Sequence, residues 1–522
     1  MPRQATGQAY LMVSPRNAER AVAVCHRWRQ GTPCASPALE SPPKRHGLAP
    51  SRPMFLETIG SFAQPPRPMP DATPADTPAP SSLRQRAGSA ALWIGLGFAL
   101  TQAVRLGSSI VLTRLLAPEM YGLMTMGTVV ISAVVMMSDF GFSQSVIHNP
   151  RGDDPEFLNT IWSLQIGRGL ALCLLMNVAA LVMYTSHSWW PGLLRGSYAD
   201  PHLPGVVAIL SLVPIAMGLE STNLARAQRA LAMGQVVRNE VIVQLGVTTL
   251  MIVLSMHWPE FWVLPLGWVV FSGSVTLLSH LTLPGPRNRL GWDRAAASAA
   301  WHFSKWILLS SLLTYLFREG DRILLGGLLT SAELGIYAVG ALLVNATREV
   351  IYRLAAFVGM PALAEVAREQ PERLRQAYKQ CRLPIDAVCL FGAGFLFAAS
   401  DRIIGLIYDG RYSAAGHALA MLSLGLIAFR YTVMDQYLIA TGETKQLFKR
   451  GVLQNVVLYT AVPVGFSLWG MTGALAGILL AQAAVVPFMF KIQHDRGLLD
   501  WRFEFGTLAI FPLGWGAGWL VS

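Results

Sequence analysis

Charge is scarce in this chain. Asp, Glu, Lys and Arg make up 14% of its 522 residues, where soluble domains carry about 25%. Hydrophobic residues reach 53%. This balance excludes an ordinary soluble enzyme, a disordered regulator and a DNA-binding protein. Cysteine is sparse as well. Cys25, Cys34, Cys173, Cys381 and Cys389 make no disulfide framework and no C-x-x-C spacing, so they read as small fillers, and no metal site or cofactor is expected. The sequence lacks H-E-x-x-H, G-x-S-x-G and G-x-x-x-x-G-K-[ST], so no enzyme is expected. Acidic residues are outnumbered, 30 Asp+Glu against 41 Lys+Arg, for a formal charge of +11. In a soluble chain that excess points to nucleic acid. Here the basic residues lie mostly between apolar runs, which points to membrane topology and to no nucleic-acid partner.

Residues 1–80 hold 15 of the 32 prolines and no long apolar run. The segment from Ala63 to Pro80 cannot form helix interior or sheet, and it cannot bury enough apolar surface to offset its ordering entropy. No apolar h-region follows the basic start, so it is not a signal peptide. Residues 1–83 are therefore expected to be a disordered cytoplasmic arm. A second reading starts the natural chain at Met54 or Met69.

A spanning helix needs about 20 mostly apolar residues. From residue 88 there are twelve such runs: 88–112, 121–147, 160–184, 203–225, 237–256, 261–283, 306–329, 334–360, 383–400, 416–440, 451–469 and 471–490. A last run, Thr507 to Val521, is 15 residues long and reads either as a short thirteenth span or as an interfacial helix. The connections after even spans carry 19 Lys and Arg, from Arg151 to Arg502, and those after odd spans carry only Arg114, Arg195, Arg402 and Arg411. That bias places the amino terminus and the even loops in the cytoplasm.

The chain also repeats itself. A shift of 213 residues aligns 91–133 with 304–346 without gaps, at 14 identities in 43 positions. They include Trp93/Trp306, Arg105/Arg318, Leu116/Leu329, Gly122/Gly335 and Gly127/Gly340. Six spans separate the copies, so they run in the same direction, as parallel repeats do in one common transporter architecture. The fold expected is an all-α polytopic membrane protein of twelve or thirteen helices in two pseudo-symmetric six-helix lobes. The N-lobe would cover 84–295 (spans 1–6) and the C-lobe 296–490 (spans 7–12). Residues 491–522 would be a cytoplasmic segment plus a short apolar C-terminal helix. A substrate site is expected between the lobes.

Three segments carry a family resemblance. Leu112-Thr113-Arg114-Leu115-Leu116-Ala117-Pro118-Glu119-Met120-Tyr121-Gly122-Leu123 resembles the first-loop signature of the Wzx-type polysaccharide flippases of the MOP superfamily. The run Gly320 to Leu329, followed by Leu334-Gly335-Ile336-Tyr337-Ala338-Val339, resembles their span 7–8 signature. Tyr437 to Lys445 is similar to the end of their span 10. The resemblance runs from about residue 84 to the end. It implies an alternating-access flippase of the bacterial inner membrane, moving an undecaprenyl-diphosphate-linked oligosaccharide for O-antigen, capsule or exopolysaccharide synthesis. Its partners would be that lipid-linked oligosaccharide, membrane lipids and the polysaccharide polymerase or export machinery. The chain departs from the longest members, which have spans 13 and 14.

Ionisable residues inside a membrane are functional candidates by default. The candidate substrate-binding set is Arg105, Arg318, Arg322, Arg348, Arg353 and Arg430; Arg168 is a further intramembrane cation. Arg318 and Arg322 share a helix face, and Arg105 is the repeat-mate of Arg318. A guanidinium stays charged when desolvated and binds phosphate oxygens bidentately. The competing reading is local neutralisation by Glu319, Asp321 and Glu349. Asp139, Glu220 and Asp435 are candidate ion-coupling sites, against a reading as ion-pair partners. Asp153-Asp154 reads as a helix-capping pair. The alternative function is a MATE-type multidrug or cation antiporter on the same fold, for which an acidic cavity is expected.

Overall fold

Runs of about 20 apolar residues leave the backbone no water to bond, so each run closes its hydrogen bonds within a helix. The computed structural model describes residues 83–137, 142–148, 151–190, 192, 194–294, 315–316 and 318–521, which lie in one unit spanning Ala79–Ser522. Every regular element among them is helical. The expected arm lies outside the described residues but for Leu83.

The first half contains α1 (Leu83–Leu115), α2 (Pro118–Met137), α3 (Pro155–Trp189), α4 (Leu203–Leu219), α5 (Met233–His257) and α6 (Val263–Thr282). Pro155 opens α3, and the Asp154 carboxylate caps it by accepting from the Glu156 amide. Asp153 pairs instead with Arg226 at 3.0 Å. α4 is bent by 62° against the short helix Asn223–Arg229. In the second half α7 is described over 318–328. It leads into α8 (Ser331–Leu354), whose start is a capping box between Thr330 and Glu333, then α9 (Leu374–Ile407) and α10 (Ala415–Ala440).

Among the described residues nine helical runs are long and apolar enough to cross a membrane, or ten with the bent α4 pair. One of them, Thr444–Asp495, has 52 residues and would be about 78 Å long if straight. It is not straight. Gly470 has φ +58°, a left-handed conformation that suits glycine. Beyond it the chain doubles back: a Cβ on Gly465 would lie 2.1 Å from the Gly473 carbonyl oxygen, and one on Gly473 would lie 1.9 Å from that of Gly465. The run is therefore a helical hairpin, α11 (444–468) and α12 (471–495).

The carboxy-terminal segment differs from the expectation. Helix begins at Trp501, not at the apolar run from Thr507, because Asp500 caps it by accepting from the Arg502 and Phe503 amides. Trp501–Leu508 and Ile510–Val521 together form α13, about 31 Å of helix. α13 packs parallel to α9: Lys379 bonds Asp500, Arg382 bonds Glu504, and Gly514 and Gly518 lie against Phe391 and Phe395.

The repeat is visible in space. A Cβ on Gly122 would sit 1.8 Å from the Ser331 carbonyl oxygen, and one on Gly335 would sit 1.9 Å from that of Pro118. The 213-residue shift exchanges these two contacts, so a pseudo-two-fold axis passes between α2 and α8. Gly127 packs on Val206 and Leu210 of α4, while its mate Gly340 packs on Ala415, Ala418 and Leu419 of α10.

Candidate functional site

Three of the six nominated arginines come together, and they do so inside the second half of the chain. Among the described residues, a cavity of about 130 Å³ is lined by residues between Arg318 and Gln482. The expected site is one between the two halves; the described lining of this cavity belongs to the second half. Arg318, Asp321 and Arg322 reach it from one face of α7, and Tyr337, Asn345 and Arg348 from one face of α8, at the i, i+3, i+4 spacings that align side chains on a helix. α11 adds Gln454 and Leu458, and α12 adds Ile478, Ala481 and Gln482.

Among the described lining residues, three guanidiniums face one carboxylate. Arg322 donates to Glu319 at 2.8 Å, and the Tyr337 hydroxyl donates to Asp321 at 2.5 Å. Arg348 donates to the Gln482 side-chain oxygen at 2.7 Å and lies over the Phe429 ring. Arg318 is exposed and has no ion pair among the described residues. Counting Glu319, one positive charge remains in excess. That arrangement suits an acceptor-rich anion and disfavours a cation.

The other nominated residues lie elsewhere. Arg430 lies in a buried ion cluster outside the cavity lining. It is 3% exposed and donates to Glu504 at 2.6 Å and Thr507 at 3.0 Å, with Asp386 at 3.5 Å. Arg382, read from sequence as a loop cation, belongs to the same cluster. It is 1% exposed, grips both Glu504 oxygens and meets Asp386 at 3.1 Å. Two arginines and two carboxylates cancel there, and they tie α13 to α9 and α10. Arg353 pairs with Glu349 at 2.8 Å and stacks over Phe98 of α1 at 3.9 Å, outside the cavity lining. Arg105 is exposed on α1 and does not line the cavity. Asp435 is paired with Arg450 at 3.0 Å. Glu220 ends Leu212–Leu219, half-buried, with no ion pair among the described residues. Asp139 lies outside the described residues.

The halves clasp one another at the end that carries the odd loops. The Ser197 hydroxyl donates to the Leu329 carbonyl at 2.8 Å, and the Tyr412 hydroxyl donates to the Leu116 carbonyl at 3.1 Å. Leu116 and Leu329 are repeat-mates, so the clasp is reciprocal. Ser331 to Asp200 at 2.6 Å, Tyr198 to Ile323 at 3.3 Å and Arg411 to Arg114 at 3.0 Å reinforce it. This end of the bundle is closed.

Sequence reasoning missed Asn345, Gln454, Gln482 and Glu504. The amides are neutral and leave little mark on a hydropathy profile. Glu504 is a lone acid just ahead of an apolar run, and its partners are 122 and 74 residues away.

Known proteins give the context. The chain is 23% identical over 403 residues to the lipopolysaccharide biosynthesis protein WzxC of Escherichia coli (strain K12), covering 77% of this chain and 79% of that one. Its fold is similar to that of the lipid II flippase MurJ in an inward closed conformation (TM-score 0.60, 10% identity, 82% of this chain and 97% of the other). It is also similar to a multidrug resistance MATE family transporter of the MOP superfamily in an inward-facing conformation (TM-score 0.56, 14% identity, 76% and 94%). These two likenesses carry the fold: a MOP-like, multi-pass membrane protein. Residues 111–417 match the family model for polysaccharide biosynthesis proteins, and the chain belongs to that family.

Proposed function

We propose that the chain moves an undecaprenyl-diphosphate-linked oligosaccharide across the bacterial cytoplasmic membrane, for O-antigen, capsule or exopolysaccharide synthesis. The observation that carries this reading is the arginine-lined cavity in the C-lobe of a chain of this family. Arg318, Arg322 and Arg348 offer donors only, and a diphosphate offers acceptors only. The apolar walls Leu458, Ile478 and Ala481 lower the local dielectric and strengthen the attraction. The excess positive charge argues against the cation-antiporter alternative.

Transport would proceed by rocking of the two lobes. With the even loops cytoplasmic, the closed odd-loop end would face outward, and the Ser197–Leu329 and Tyr412–Leu116 contacts support a state closed toward the outside. Release outside requires the Ser197–Leu329 and Tyr412–Leu116 bonds to break and the Gly122–Gly335 contact to open. Polymerase or export proteins would receive the product.

The test is complementation of a strain lacking its own flippase of this class and supplied with the matching glycan genes. Wild type should restore surface polysaccharide and clear the stalled lipid-linked oligosaccharide. Arg318→Ala, at equal protein level, should do neither. Restoration of surface polysaccharide without any fall in the stalled intermediate would reject the reading.

A further inference from the structure

A groove of about 490 Å³ opens on the first half of the chain and shares no residue with the arginine-lined cavity. α4 supplies one wall through Leu212, Ile215 and Leu219, and α6 supplies the other through Gly273, Leu277 and His280. Each set falls on one helix face. The walls run from mid-helix to the end that carries the even loops, over about 10 Å. That is roughly two thirds of the hydrocarbon depth of one leaflet. Gly273 keeps the groove open, since a Cβ there would meet nothing within 4 Å.

The even-loop end of the groove is polar. α4 stops at Leu219, because Glu220 turns to ψ 141°. The Leu219 carbonyl accepts from the Trp162 indole of α3 at 3.2 Å and from His280 Nε2 at 2.7 Å. A strap crosses this end. Residues 283–293 lead away from α6 without forming a helix. Asn288 donates to the Thr222 hydroxyl at 2.6 Å and accepts from that of Ser221 at 2.9 Å, just beyond Leu219. The Arg289 amide donates to Asn159 at 2.8 Å and the Gly291 amide to Ser163 at 3.0 Å, on either side of Trp162 in α3. The strap is thus bonded beside both groups that close the groove. Arg287 and Arg289 flank Asn288; both are exposed and have no ion pair among the described residues. Leu290 and Trp292 are 75% and 66% exposed, a composition that suits a membrane interface.

We infer that groove and strap form a site for one anionic phospholipid of the leaflet at the even-loop end. An acyl chain lies between α4 and α6, and the phosphate meets Arg287 and Arg289. Apolar walls open to the membrane suit a hydrocarbon chain. Two unpaired guanidiniums suit a phosphate. A zwitterionic headgroup brings a cation that they repel, so the site favours a lipid of net negative charge. With the even loops cytoplasmic, this is the leaflet whose anionic lipids attract basic segments. The site is independent of what the chain transports.

The experiment uses the full chain, purified in detergent, and measures the most tightly retained lipid by native mass spectrometry. The probes are phosphatidylglycerol and phosphatidylcholine with the same acyl chains. Two arginines at a lipid headgroup correspond to about tenfold in affinity or more. Wild type should therefore hold one phosphatidylglycerol about tenfold tighter than phosphatidylcholine. Arg287→Gln combined with Arg289→Gln should erase that preference. Gly273→Phe fills the groove and should weaken both lipids at least tenfold. Thermal melting without added lipid shows which variants are folded, and Gly273→Leu replaces the phenylalanine variant if that one is not. Equal retention of the two lipids by wild type would overturn the site. So would a preference that survives the double glutamine variant, or tight retention by a folded groove variant. Displacement of phosphatidylglycerol by an equal concentration of undecaprenyl phosphate would overturn the choice of a phospholipid.

Discussion

Glu504 is the residue whose loss should cost the fold most. It accepts from both terminal nitrogens of Arg382, from Arg430 at 2.6 Å and from the Tyr431 hydroxyl at 3.0 Å, in a cluster with all four charged side chains at most 3% exposed. Glu504→Gln keeps the shape and removes the charge. Two guanidiniums then share Asp386 alone, and the buried cluster goes from neutral to a net +1. Breaking a buried pair by removing one partner costs about 3–5 kcal/mol, a hundredfold to several thousandfold in the folding equilibrium. The assay is unfolding in detergent, followed by circular dichroism and by proteolysis at the 496–502 segment. A double variant separates charge from shape. Arg430→Gln with Glu504→Gln restores neutrality, leaving Arg382 with Asp386 at 3.1 Å. It should be more stable than Glu504→Gln alone, a coupling that a double-mutant cycle isolates. Additive costs would refute the argument that the unpaired charge dominates.

Gly122→Val should separate the lobes at the closed end, because a Cβ there falls 1.8 Å from the Ser331 carbonyl; overpacking of about 1–3 kcal/mol and loss of complementation are expected. Gly470→Val places a β-branched residue at φ +58° and should cost about 1–2 kcal/mol, read by thermal melting; Trp469→Ala next to it should cost less. Asp500 is held below the usual carboxylate range by its hydrogen bond from Lys379 and by the amides it caps. A depressed pKa contributes stability above the unfolded value and loses it as pH falls. The stability difference between wild type and Asp500→Asn should therefore be full well above the ordinary carboxylate pKa of about 3.9 and be lost as pH falls through the lower folded-state value.

The helices were legible because lipid allows no other way to satisfy a spanning backbone. The repeat was legible because contacts made twice keep the same residues twice, as at Gly122/Gly335 and Leu116/Leu329. The half of the chain that holds the arginine-lined cavity was not. Arg105 and Arg318 match in sequence, yet only Arg318 has the amides of α11 and α12 and the α8 face beside it. Nor was α13 visible in full. Its first turn carries Arg502 and Glu504, which a hydropathy count reads as loop, while the fold neutralises Glu504 with two arginines distant in sequence. Arg430 and Arg318 looked alike as intramembrane cations; their partners separate a structural tie from an open donor.

The most direct test of the central claim is transport in proteoliposomes, with the lipid-linked oligosaccharide that accumulates when this gene is deleted. Wild type should carry it to the opposite leaflet. Arg318→Ala combined with Arg322→Ala should slow that step at least tenfold while melting within a few degrees of wild type. Equal rates for the two proteins would contradict the account, and so would a folded wild type that leaves the substrate on its original side.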